Sequence, residues 1–252
     1  MNDMPASTLT NTRIEGRFRH RYGDLPVIDD VEFTIDAGEF ICVVGPSGCG
    51  KTTFASIVSG LLSPSSGQVR IGGEVVDPKR HNVSMVFQDP ALWPWRTVEN
   101  NVKVGLEIKK YPRDHMRKQV DAMLQLVGLQ DFRNHYPYQL SGGMKQRAAI
   151  ARAFAPDSVL VVMDEPFVAL DAPTREAMQK ETLRVWSERK RSVIFVTHNL
   201  EEAIFLASRI IVFSTRPARV VADLAVPWPK PRDITSDECV ELRRSIRALL
   251  EN

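Results

Sequence analysis

Cysteine is scarce in this chain. There are 3 in 252 residues, Cys42, Cys49 and Cys239, at spacings that suggest no disulfide framework. That scarcity points to a reducing compartment and excludes a small disulfide-stapled fold. An excess of one charge is also missing. The chain has 33 basic and 31 acidic residues, a formal net charge of +2. Overall electrostatics therefore gives no case for nucleic acid or a membrane surface as partner. No apolar run reaches the length needed to span a bilayer. Met1 to Thr12 is polar and lacks the apolar core of a signal peptide. The chain is expected to be soluble, with any membrane association arising through a partner. Internal repeats and low-complexity segments are absent too. What remains is an ordinary globular composition, 43% hydrophobic and 25% charged, long enough for one large domain or two small ones.

Against that plain background one stretch stands out: Gly45-Pro46-Ser47-Gly48-Cys49-Gly50-Lys51-Thr52-Thr53. It fits the phosphate-binding pattern in which a glycine, four residues, a second glycine, a lysine and a hydroxyl residue follow in order. Glycines let backbone N–H groups approach phosphate oxygens with no Cβ in the way. The helix that opens at the end of the loop adds partial positive charge. Lys51 supplies an ammonium for the outer phosphates, and the Thr52 hydroxyl can ligate Mg²⁺. A glycine-rich turn is the plainer alternative. The flanks argue against it, because Phe40 to Val44 reads as a buried strand and Thr53 to Val58 as a helix. Cys49 reads as a small spacer inside the loop.

Residues 1–12 read as a flexible lead-in. From Arg13 to Phe40 the pattern is strand-like, with Val31, Phe33 and Ile35 alternating with polar residues. Further strands are expected over Gln68 to Ile71 and Val83 to Phe87. Between Thr97 and Gln130 the periodicity becomes helical, interrupted at Pro112. Gly142 to Phe154 and Pro173 to Glu188 also read as helices. Val159 to Met163, Ser192 to Val196 and Ile210 to Phe213 are continuous apolar runs, as expected for buried parallel strands. Prolines 217, 227, 229 and 231 punctuate the tail, and Thr235 with Glu238 suggests a capping box before a last helix with Val240, Ile246, Leu249 and Leu250 apolar.

A nucleotide site needs a second component for metal and water. Asp164-Glu165, at the end of an apolar run, supplies it, since ligands of open α/β sheets bind beyond the carboxyl ends of strands. Asp164 would hold Mg²⁺ and Glu165 would orient or deprotonate the attacking water. An acidic pair merely capping a strand is the alternative. A third constellation, Leu140-Ser141-Gly142-Gly143-Met144-Lys145-Gln146-Arg147, is another anion-binding helix start. One nucleotide needs only one cradle, so this one makes sense if it serves a nucleotide held by another subunit.

These residues resemble the signature sequence of the ATP-binding cassette (ABC) ATPases, and further motifs of that family follow in order. Tyr22 resembles the aromatic that stacks on adenine. Gln88 resembles the glutamine that senses Mg²⁺ and the γ-phosphate. Ala169-Leu170-Asp171 resembles the loop by which two subunits communicate, and His198 the histidine that contacts the γ-phosphate. The resemblance runs from Arg13 to about Pro217. It implies an α/β P-loop ATPase with a parallel core sheet, an N-terminal antiparallel β portion and a helical subdomain inserted over about residues 97–155. Residues 218–252 would form a C-terminal extension with a short helix. Two copies would sandwich ATP and Mg²⁺ between the phosphate loop of one and Ser141, Gly142, Gly143 and Asp171 of the other. Thr52, Gln88 and Asp164 would face the metal, and Glu165, His198 and Gln88 would serve catalysis.

The stretch Leu92-Trp93-Pro94-Trp95-Arg96-Thr97-Val98-Glu99-Asn100-Asn101-Val102 resembles the ATPase subunits of importers for nitrate, sulfonates and taurine, as does Arg216 to Val221. The two tryptophans either anchor their loop or help form a groove for a permease helix. This resemblance implies two transmembrane permease subunits, an extracytoplasmic solute-binding protein, no nucleic acid, and a place on the cytoplasmic face of the plasma membrane. DNA-maintenance ATPases of the same superfamily carry coiled coils or zinc modules, which this chain lacks. A non-catalytic assembly module would not need Glu165 and His198. Three residues depart from the usual pattern: Thr52 where serine is commoner, Val168 where a small residue is usual and Asn199 where aspartate is usual.

Overall fold

The computed structural model describes residues 12–78 and 80–251; the expected lead-in over residues 1–12 falls outside them except for Thr12. Strands β1 (Ile14–Tyr22) and β2 (Leu25–Ile35) pair antiparallel, and β1 also pairs with β4 (Ser66–Ile71), which continues to the short β5 (Glu74–Val75). The alternation of Val31, Phe33 and Ile35 is real: all three are buried while Glu32 is exposed.

A second sheet holds six strands in the order β10-β9-β3-β8-β7-β6. Its members are β3 (Phe40–Val44), β6 (Val83–Val86), β7 (Leu160–Asp164), β8 (Ser192–Val196), β9 (Arg209–Phe213) and β10 (Val220–Ala225). All neighbours are parallel except β10, which runs antiparallel to β9. Every residue of β3, β7 and β8 is buried. Their apolar runs are continuous because each strand feeds a core on both faces. Phe40, Cys42 and Val44 face one core, and Ile41 and Val43 the other.

The first core is covered by α2 (Val98–Ile108), α3 (Arg113–Leu126), α4 (Gly142–Phe154), α5 (Ala172–Arg189), α6 (Leu200–Leu206) and α7 (Asp237–Glu251). The second core lies between the two sheets and takes in α1 (Lys51–Val58). Phe54 of α1 is its hub. Its ring sits 5.2 Å from Phe33, 6.0 Å from Phe18 and 5.2 Å from Phe213. Both sheets thereby fix the helix that opens at the phosphate loop.

The proline-rich tail is tied down. Arg232, 8% exposed, donates to the carbonyls of Ile204 at 2.7 Å and Ala207 at 2.6 Å, at the C-terminal end of α6. It also donates to Val226 O at 2.8 Å and Trp228 O at 3.0 Å. The Lys230 ammonium lies 4.1 Å above the Trp186 ring and 5.1 Å above Phe40. Burial pulls its pKa down to about 8.

Two local expectations need correcting. Thr235 does not cap α7: its hydroxyl donates to Asp233 Oδ1 at 2.6 Å, and Ser236 Oγ accepts from Cys239 N instead. Leu249, expected on the apolar face of α7, is exposed, whereas Cys239 and Ile246 are buried. No helix among the described residues is long and apolar enough to cross a membrane.

Candidate nucleotide site

Strand order builds the site. β3, β8, β7 and β6 are consecutive and parallel, with Val43 opposite Val196, Val196 opposite Asp164 and Met163 opposite Val86. The carboxyl ends of four strands therefore line up. The phosphate loop follows β3, His198 follows β8, Asp164-Glu165 ends β7, and Gln88 follows β6. This is the crevice where open α/β sheets bind ligands.

The phosphate loop has the backbone its glycines predict. Gly48 and Gly50 take φ of 74° and 119°, conformations that L side chains avoid. A Cβ on Gly50 would also lie 2.9 Å from Val27 Cγ1. Lys51 is buried, and its ammonium donates to Gly45 O at 2.9 Å and Pro46 O at 3.0 Å. It stands 3.9 Å from Glu165 Oε1. Cys49 is buried, and burial pushes its thiol up. A protonated, enclosed thiol is a spacer and not a reactive group.

Asp164 is 5% exposed, and burial raises its pKa against a hydrogen bond from the Thr52 side chain. Among the described residues its Oδ1 is buried with no hydrogen-bond partner. A hydroxyl beside an unsatisfied carboxylate oxygen fits a hard divalent cation, which typically takes one or two carboxylates plus substrate phosphate oxygens. No cluster of three or more His, Cys, Asp or Glu side chains suited to a metal occurs among the described residues. A cation here would therefore depend on this small oxygen set.

Glu165 is held at φ 43°, and its N–H donates to Val196 O at 2.9 Å. The left-handed turn aims the carboxylate sideways toward β8, where its Oε2 lies 2.9 Å from His198 Nδ1. Asn199, the departure from aspartate, still caps α6: its Oδ1 accepts from Glu201 N at 2.9 Å and Glu202 N at 3.3 Å. Gln88 and Tyr22 are exposed, and Tyr22 packs edge-on against His20 at 4.7 Å.

Ser141, Gly142 and Gly143 do not share this crevice. They line a separate open cleft with Ala169, Leu170 and Asp171. Ser141 caps α4 by accepting from Met144 N at 3.3 Å. Two groups of expected site residues thus lie together in one chain, but apart from the phosphate loop.

Sequence reasoning overlooked a set of supporting residues. Arg175 and Glu202 flank Glu165 and His198 around a small cavity. Arg152 donates to Pro90 O and Ala91 O, both at 2.7 Å, fastening the loop after Gln88. Buried Asn101 accepts from Trp93 N at 2.8 Å and donates to Arg96 O and Thr97 O. No local signal marked Glu202, because the seven residues of α6 are too few to show which positions face the core. As for the tryptophans, Trp93 is partly buried and stacks on Trp95, while Trp95 is 72% exposed. A groove on the outer face of the antiparallel sheet contains none of the expected residues.

Known proteins share this pattern. The ABC transporter family matches residues 28–168. A taurine import ATP-binding protein of Roseobacter denitrificans is 42% identical over 221 residues, covering 87% of this chain and 82% of the relative. An aliphatic sulfonates import ATP-binding protein of Bacillus cereus is 37% identical over 240 residues, covering 95% and 94%. Among solved structures, a dimeric ATP-binding cassette in a post-hydrolysis state, bound to ADP and Pi, superposes with a TM-score of 0.71. It is 31% identical, and the match covers 84% of this chain and 98% of the other.

Proposed function

The chain belongs to the ABC transporter family of ATP-binding, ATP-hydrolysing subunits, and on that premise we propose that it powers an importer of small solutes of the nitrate, sulfonate or taurine class. The carrying observation is the division of the site residues. The phosphate loop, Asp164, Glu165 and His198 gather at the carboxyl ends of adjacent parallel strands, while Ser141 to Gly143 and Asp171 line another cleft. A second copy placed head to tail would bring that cleft over the nucleotide of the first. The dimeric cassette that resembles this chain supports such an assembly.

In this reading Tyr22 stacks on adenine, residues 45–53 cradle the phosphates, and Lys51 turns its ammonium from loop carbonyls to phosphate oxygens. Mg²⁺ would be held by Thr52, Asp164 and Gln88 and would neutralise phosphate charge. Glu165 accepts the proton of the attacking water, and His198 fixes the Glu165 carboxylate and contacts the γ-phosphate. Most of the rate gain comes from positioning and from charge placed in advance. ATP favours closure because the second copy's contacts exist only in the closed pair.

The coupling partner would be a pair of permease subunits, received beside the exposed Trp95 and the stacked Tyr136 and Tyr138. Exposed aromatics of this kind are favoured at interfaces. An extracytoplasmic binding protein would deliver the solute, with this subunit on the cytoplasmic face of the membrane. The working division is an ATPase body over residues 13–217, a helical insertion over about 97–155, and an extension over 218–252. Purification of the tagged chain from native membranes tests the reading. Permease subunits should be recovered with it, whereas recovery of nucleic acid without a permease would sink it.

A further inference from the structure

Resting on the reading of Asp171 as part of the loop that meets a second copy, we propose that Arg175 and Glu202 are positioning residues that tie this loop to His198 and Glu165. α5 starts immediately after Asp171, and Arg175 lies in its first turn, its N–H donating to Asp171 O at 2.9 Å. The guanidinium turns back and donates to Leu170 O at 2.8 Å. Arg175 thus grips the loop from within the subunit. Its Nε is buried, makes no hydrogen bond among the described residues, and lies 3.6 Å from Glu202 Oε1.

Glu202 is 4% exposed, and its other carboxylate oxygen accepts from the Thr197 hydroxyl at 2.6 Å. That hydroxyl in turn accepts from Asn199 N at 3.0 Å. The two bonds fix the backbone on both sides of His198, whose Nδ1 meets Glu165 at 2.9 Å. The contacts form a chain from Leu170 through Arg175, Glu202 and Thr197 to His198 and Glu165. They surround a cavity of about 50 Å³ lined by Glu165, Val168, Arg175, Thr197, His198 and Glu202.

This arrangement has the two properties a link needs. It is contiguous, and it has slack, because the 3.6 Å between Arg175 Nε and Glu202 Oε1 is a gap that a small shift of the loop would close to a hydrogen bond. Charged groups in a small enclosed space respond strongly to such movements, since low local polarity strengthens their interaction. A loop pressed by a second copy would therefore reset the backbone that carries His198. Arg175 and Glu202 line the cavity beside His198 and Glu165, so the pair acts through them.

The test is steady-state ATPase kinetics on the full chain carrying Arg175→Ala, Arg175→Lys, Glu202→Gln and the double change Arg175→Ala/Glu202→Gln. The expected result is a fall in kcat of between about tenfold and 100-fold for Arg175→Ala and Glu202→Gln, with KM for ATP within about twofold of the parent. Arg175→Lys keeps the charge but not the fork and should recover only part of the rate. The double variant should be no slower than the slower single one, since one link is cut twice. A KM effect without a kcat effect, independent losses that multiply, or kcat losses that merely track a fall in Tm would overturn the proposal. A parallel experiment places each change in a Glu165→Gln background and measures ATP-dependent dimers. If Glu165→Gln alone fails to dimerise, the two-copy reading is at fault. If it dimerises and the Arg175 and Glu202 variants turn over normally, only the link is at fault.

Discussion

His198 Nδ1 lies 2.9 Å from Glu165 Oε2, so side chains from the ends of two neighbouring strands share one hydrogen bond. The other Glu165 oxygen stands 3.9 Å from the Lys51 ammonium. A carboxylate held from both sides is oriented before substrate arrives, which suits a general base.

Replacing Glu165 with Gln keeps the shape and one hydrogen bond but removes the proton acceptor. Turnover should fall by about 100-fold or more, with ATP affinity retained and an ATP-bound dimer accumulating in size-exclusion chromatography. His198→Ala should lower kcat by a similar order, because Glu165 loses the partner that aims it. A Glu165→Gln chain that hydrolyses ATP at the parental rate would remove Glu165 from the base role.

Lys51→Ala and Ser141→Arg should both abolish hydrolysis, for different reasons. The first removes the ammonium that bridges Gly45 O and Pro46 O at the loop, so nucleotide affinity should fall as well. The second alters the separate cleft and should leave ATP binding largely intact while preventing dimer formation. Fluorescent-nucleotide titration beside a turnover assay separates the two. Equal loss of binding in both variants would contradict a site divided between copies.

Burial pushes the Glu202 carboxyl above the ordinary range, against the hydrogen bond from Thr197 and the charge of Arg175. The folded state therefore holds this proton more tightly than the unfolded chain. Stability falls as pH rises from the unfolded pKa through the folded one, and the penalty is fully present above that window. Glu202→Gln should accordingly be neutral or stabilising at pH 7, with any gain disappearing below the usual carboxylate range. Tm measured against pH would show it. Slower turnover with an unchanged or higher Tm would separate positioning from folding.

Arg232 should matter to stability more than any exposed arginine. Its guanidinium serves the carbonyls of Ile204, Ala207, Val226 and Trp228. Arg232→Ala strands several of these in a buried place, which should cost about 2–4 kcal/mol. Urea unfolding would read this as a lower midpoint. Arg19→Ala, on an exposed side chain with surface ion pairs, should change stability by less than about 1 kcal/mol.

The sequence by itself determined the motifs and the class of fold. Gly48 and Gly50 announce a loop that only glycine tolerates, and the apolar runs before Gly45, Glu165 and His198 announce buried strands. Such signals are legible because they are local: a positive φ or a two-faced strand is written in a few adjacent residues. Helix α6 and strand β10 were missed for the same reason. Seven residues are too few to show a helical period, and β10 is a half-exposed edge whose pairing with β9 supplies its order. Only the tertiary structure decided that β3, β8, β7 and β6 are neighbours, which sets His198 against Glu165 and encloses Arg175 and Glu202 beside them. Only it showed Ser141 in a cleft with Asp171, apart from the phosphate loop. Strand order and side-chain burial are long-range outcomes of packing two cores at once, and no local pattern of residues encodes which distant strand will lie alongside.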